Sequence, residues 1–115
     1  MGTDRASTPA LSVMQPYAEQ IMLGIKTFEY RSRRTNRRGR LYLYASKTRH
    51  ENAVEWDRLA NADVQFGRVI GTVEIVDCDW SAADNCFRWH LRNPRRLPPK
   101  RPHNQPQPVW FYPFT

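Results

Sequence analysis

Three charged side chains stand close together early in the chain, in the run "GIKTFEYRS": Lys26, Glu29 and Arg31. A lysine and an arginine can hold a phosphate or polarise a carbonyl oxygen. A carboxylate beside them can accept from a base amino group or take a proton. Six arginines then fall within ten residues, at Arg31, Arg33, Arg34, Arg37, Arg38 and Arg40. Taken alone, Glu29 and Arg31 suit an ordinary surface ion pair of little energetic weight equally well. Lys26 suits a solvated loop just as well, so the surrounding elements have to decide.

The stretch "TFEYR" alternates at period two, with Phe28 and Tyr30 on one side and Thr27, Glu29 and Arg31 on the other. A short strand, Leu11 to Val13, and a helix come before it. Pro16 fits the first helical position, where its missing N–H costs nothing. Tyr17 with Ile21, and Ala18 with Met22, give that helix an apolar side, and Gly24 can end it in a left-handed conformation. The strand "RLYLYAS" sets Leu41, Leu43 and Ala45 opposite Tyr42 and Tyr44. A second helix is expected over about Arg49 to Asn61, with Ala53, Trp56, Leu59 and Ala60 on one face. "FGRVIGTVEIVDCDW" reads as a strand rich in Val and Ile, and Gly71 in its middle suggests a bulge. "CFRWHL" suits a short helical turn. The segment after it holds seven of the nine prolines, which excludes helix. It reads as an extended segment wrapping the domain and ending in a strand at Val109 to Tyr112, its aromatics docked in the core. Residues 1–10 read as a flexible tail and 11–115 as a single domain. Strands with interposed helices, but no regular alternation, indicate an α+β fold: a small mixed β-barrel with two or three flanking helices.

Composition sets the outer limits. At 115 residues and 40% hydrophobic content, with four Trp, five Tyr and five Phe, the chain can bury a core. No apolar run is long enough to cross a bilayer and the opening residues do not read as a signal peptide, so a cytoplasmic monomer with no membrane association is expected. Cys78 and Cys86 are read as free thiols. Their spacing to His90 and His103 fits no zinc pattern, and neither metal nor cofactor is expected. The net charge is +7, and twelve of the 18 basic residues lie in two segments. One is the arginine run above; the other holds Arg88, Arg92, Arg95, Arg96, Lys100 and Arg101. No Asp or Glu occurs between Tyr30 and His50, or after Asp84. Acid-free basic strips are the footprint of a polyanion partner, though a solvated face is the plainer reading of any charge run. The preference for Arg, a planar fork of donors, favours phosphate.

Several pieces in combination resemble the ASCH domain, a branch of the PUA-like superfamily: "LSVMQPYAEQIMLGIKTFEYRS", "RGRLYLYAS", "GRVIGTVEIVDC" and "WHLRNPRRLPPKRPHNQPQPVWFYP". The resemblance implies a PUA-like barrel with a cleft holding the G-x-K-T-x-E-x-R residues. It also implies RNA, single-stranded nucleic acid or a modified nucleoside as ligand. On that footing Tyr17, Lys26, Thr27, Glu29 and Arg31 would line the cleft, with Tyr17 either a stacking surface for a base or a core residue. Arg33, Arg34, Arg37, Arg38, Arg40, Arg95 and Arg96 would meet the nucleic-acid backbone. Trp89 and Trp110 are placed in the core. The family also contains proposed ribonucleases and amidohydrolases acting on acylated cytidine, so an alternative function is hydrolysis in the same cleft with Lys26 and Glu29 as catalytic groups. The amidohydrolase members carry Thr three residues after the Lys, where this chain has Glu29. A third possibility is a protein-interaction module using the proline-rich segment.

Overall fold

A computed structural model describes residues 5–51, 56, 59 and 63–115. Six strands form one mixed sheet: β1 (Ala10–Gln15), β2 (Phe28–Arg31), β3 (Gly39–Arg49), β4 (Arg68–Ser81), β5 (Cys86–Lys100) and β6 (Trp110–Phe111). Their order across the sheet is β2-β5-β4-β3-β1-β6. Only β1 and β3 run parallel; every other pairing is antiparallel. One short helix, α1 (Tyr17–Met22), lies between β1 and β2.

Alternation decides which side chains are buried. Leu11 and Val13 of β1, Leu41, Leu43 and Ala45 of β3, and Val73 and Ile75 of β4 meet Ala18, Ile21 and Met22 of α1 in the main core. Trp89 and Leu91 of β5 complete it. The opposite face carries a smaller cluster of Ala10, Tyr44, Val69, Phe111 and Phe114. Phe111 and Phe114 therefore dock and Trp110 packs partly, whereas Tyr112 is exposed, and the strand expected over Val109 to Tyr112 is confined to Trp110–Phe111. Gly71 sits where the β4–β5 register shifts. A methyl group there would collide with the Arg95 carbonyl oxygen and the Met22 sulfur. The bulge shifts the alternation, so that Ile70 faces the same main core as Val73 and Ile75, while Val69 joins the smaller cluster.

Three expectations change. The ladder runs from β2 to β6 without closing, so the sheet is not a barrel. The edge strands, four and two residues long, are too short to meet. Side chains span the open side instead: Trp89 of β5 stacks on Trp110 of β6 at 5.6 Å and 7°, and Arg31 of β2 donates to the Ser12 carbonyl of β1. Second, two or three flanking helices were expected, and α1 is the single α-helix among the described residues, with Trp56 and Leu59 in 3-10 conformation. Arg49 belongs to β3, and most of the expected helix from there to Asn61, including Ala53 and Ala60, lies outside the described residues. Of that stretch, Leu59 is buried and Trp56 stacks on Phe66.

Third, "CFRWHL" is not a helical turn. It opens the 15-residue β5, with Trp89 and Leu91 facing the core between outward Arg88, His90 and Arg92. The segment was too short for its period to be read, and pairing with strands on both sides settled it. Pro94, Pro98 and Pro99 lie in the same strand. Beyond His90, paired with Phe28, no β2 partner remains, so one edge of β5 is free and missing donors cost nothing there. Of the expected tail 1–10, Thr8, Pro9 and Ala10 are buried, and residues 1–4 lie outside the described residues. No helix among the described residues is long and apolar enough to cross a membrane.

Candidate nucleic-acid interface

The Gln15-Pro16 step fixes the start of α1. The fully buried Gln15 side chain accepts from the Glu19 amide at 2.9 Å and donates to the Gln65 carbonyl at 2.8 Å. Pro16 is the cap of the helix rather than its first residue. At the far end, Gly24 takes a φ of +76°, a conformation that glycine adopts without strain. The Gln20 carbonyl then accepts from both Ile25 and Lys26 amides, at 3.0 and 3.1 Å, and so fixes where Lys26 leaves the turn. Glu19, which carried no signal in the sequence, is buried in a two-pronged pair with Arg96 at 2.9 and 2.6 Å, pinning α1 to β5.

Lys26, Glu29 and Arg31 converge. Glu29 is buried on the core side of β2. Its Oε2 accepts from Arg31 Nη2 at 2.6 Å and Nε at 3.2 Å, and its Oε1 lies 3.7 Å from Lys26 Nζ. Arg31 Nη2 also donates to the Ser12 carbonyl at 2.8 Å. The ammonium of Lys26 sits between two rings, 5.5 Å from Tyr17 and 4.9 Å from Tyr30. These five residues, with Ser12, Val13 and Met14, line a cleft of about 540 Å³. Tyr17 is both things the sequence allowed: it packs against the core and forms a wall of the cleft. Thr27 is not part of this recess. It is exposed and borders a separate hollow beside Gly24 and Leu91, where its carbonyl accepts from the Leu91 amide.

Tyr30, Met14 and Ser12 were missed. Tyr30 alternates to the outer face, but β2 is an edge strand and its ring reaches the cleft rim. Ser12 contributes a backbone carbonyl, which leaves no mark in a side-chain pattern. His50, which nothing in the sequence tied to the motif, sets its ring edge-on to Tyr17 at 5.9 Å.

The arginines divide into two groups. Arg33 and Arg34 are exposed beside the cleft, with the Arg34 guanidinium 5.3 Å from the Phe87 ring, and Arg37 lies 4.8 Å from that of Trp110. Arg38 donates to the carbonyls of Thr35 and Arg37, and Arg95 is exposed. Arg40 and Arg96 are held by glutamates, and Arg38 also stands 4.0 Å from Asp77. Arg40 donates to the Thr72 hydroxyl at 2.6 Å and stands 3.8 Å from Glu74, and Arg96 holds Glu19. Elsewhere on β4 and β5, the Arg88 guanidinium, then His90, holds the Asp79 carboxyl down to about 2, from an ordinary 3.8.

Comparisons with known proteins agree with this architecture. The ASCH domain family model matches residues 11–101. Activating signal cointegrator 1 of Mus musculus and that of Homo sapiens are each 30% identical across 87% of this chain. The chain spans 21% of the length of those relatives. The crystal structure of ASCH from Zymomonas mobilis superposes with a TM-score of 0.62 at 17% identity, covering 95% of this chain and 88% of that one. A mutant of the same Zymomonas mobilis protein gives 0.62 at 15% identity, covering 96% and 90%. At such identities the likeness speaks for the fold. With the family model matching most of its length, the chain belongs to the ASCH domain family.

Proposed function

We propose that this protein binds RNA by drawing one unpaired base, plain or modified, into the cleft of Lys26, Glu29 and Arg31. The observation that carries the reading is the convergence of these three side chains in one recess walled by Tyr17 and Tyr30. A base that enters against the tyrosine rings, moving the Lys26 ammonium aside, is held by stacking, and a carboxylate at the floor can accept from an exocyclic amino group. Lys26 meets the phosphate or a carbonyl oxygen. Arg33, Arg34, Arg37, Arg38 and Arg95 act on the backbone. Arg40 and Arg96, engaged by Glu74 and Glu19, contribute field more than direct contact.

Glu29 is clamped by two cations, which suits an acceptor in a binding site better than a free base for hydrolysis. The test is binding of a short fluorescent RNA at fixed ionic strength to wild type, Lys26→Ala and Tyr30→Ala, with circular dichroism to check the fold. Each variant should bind about tenfold more weakly, the weight of one stacking or charged contact. Unchanged affinity in both would remove the cleft from the binding site. Product formation in the same samples, lost in Lys26→Ala, would replace the reading with a hydrolytic one.

A further inference from the structure

Beside the cleft lies a second hollow of about 500 Å³, lined chiefly by Arg31, Arg33, Arg34, Trp89, Val109 and Trp110. The two recesses share one residue, Arg31. Its Nε and Nη2 are committed to Glu29 and the Ser12 carbonyl, whereas Nη1 has no protein acceptor among the described residues. Every residue lining the second hollow comes from the two acid-free stretches of the sequence, so no carboxylate lines it, and of its guanidinium groups Arg31 alone is ion-paired among the described residues, with Glu29 on the cleft side. Its wall is built at a cost. Val109 is β-branched and takes a φ of +69°, in a tight γ-turn closed by the Trp110 amide on the Pro108 carbonyl at 3.0 Å. The Val109 carbonyl accepts from the Ser12 amide at 3.0 Å, which holds that strained turn against β1. The turn leads straight into the Trp110 ring stacked on Trp89.

We infer that this hollow is a second nucleotide subsite, taking the residue next along the strand from the base in the cleft, with Arg31 Nη1 on the phosphodiester between them. The inference rests on the reading of the cleft as an RNA site. Charge complementarity selects a polyanion, and the exposed part of the Trp110 indole selects one that carries flat rings. Arg37, now over Trp110, is displaced onto phosphate as the second base enters. The protein thus grips a dinucleotide step rather than a lone nucleoside.

The experiment compares, by titration calorimetry on the full chain, a nucleoside 5′-monophosphate, the dinucleotide, and the dinucleotide with an abasic second position. Wild type and Arg33→Ala/Arg34→Ala, both sites exposed, are measured side by side. The intact dinucleotide should bind wild type about tenfold more tightly than the abasic one, as one base–aromatic stack provides. In the double variant the advantage of dinucleotide over monophosphate should shrink. A dinucleotide no tighter than the monophosphate overturns the second subsite and leaves the cleft reading standing. An abasic dinucleotide equal to the intact one also overturns it, reducing the hollow to an anion contact. Failure of all three ligands overturns the cleft reading and this inference together. An acidic phosphopeptide matching the dinucleotide would replace RNA with a protein partner.

Discussion

Glu29 has a guanidinium on one oxygen and an ammonium near the other, and its side chain is only 9% exposed. A carboxylate so placed holds Arg31 in the orientation that reaches Ser12, and through it ties β2 to β1. Replacing Glu29 by Gln keeps the shape and removes the charge. The expected loss is about 1.5–3 kcal/mol of stability, the weight of a hydrogen bond to a charged group, read from urea unfolding. RNA affinity should fall as well, because Arg31 is no longer positioned. Unchanged stability would mean that the pair is incidental. At this scale the sequence was legible where chemistry and spacing coincide: Lys26, Glu29 and Arg31 could be picked out from residue type alone. Tyr30 and the Ser12 carbonyl could not, because one wraps around a sheet edge and the other is backbone.

Among the elements, β4 and β5 form the longest hairpin, and Asp79 lies across it between Arg88 and His90, at 2.8 and 3.1 Å. With its carboxyl lowered to about 2 by Arg88 first and His90 second, the sign of its contribution is fixed. The stabilisation is complete above the ordinary carboxylate value of 3.8 and fades as pH falls toward 2. Asp79→Asn should therefore lower the urea midpoint at pH 6 and converge with wild type near pH 2. Parallel curves over that range would assign the ion pair no role in stability. The element boundaries show what periodicity can resolve. Leu41, Leu43 and Ala45 against Tyr42 and Tyr44 marked β3 correctly, because seven alternating residues leave one interpretation. Six residues of "CFRWHL" did not, since Phe87, Trp89 and Leu91 become a strand face only once Glu29 and Cys78 are paired against Trp89. Gly71 announced the bulge through its missing side chain; the open sheet edge depends on long-range pairing that no local pattern records.

For the molecule as a whole, charge is distributed unevenly along the chain, and the exposed Arg33 and Arg34 line the second hollow beside the cleft. Binding should follow counterion release, with log affinity falling linearly against log salt concentration. Neutralising Arg33, Arg34, Arg37 and Arg38 together should shallow that slope by about 0.7 for each phosphate of a single strand that is no longer neutralised. Anisotropy titrations from low to moderate salt read it directly, and an unaltered slope would move the backbone track elsewhere. The net charge of +7 suggested an anionic partner but could not say which arginines are engaged by the protein, since Glu19 and Glu74 are remote in sequence from the cations they hold.

The cleft is drawn entirely from residues 12–31, inside the matched family range, whereas the Pro108–Trp110 wall of its neighbour falls after that range stops at 101. A fragment trimmed to the family boundary would retain the charged trio yet forfeit β6 and the indole pair that spans the sheet's open side. The two recesses are thus modular: grafting a different turn between Gln105 and Val109 would retune the neighbouring recess while leaving every residue of the trio in place.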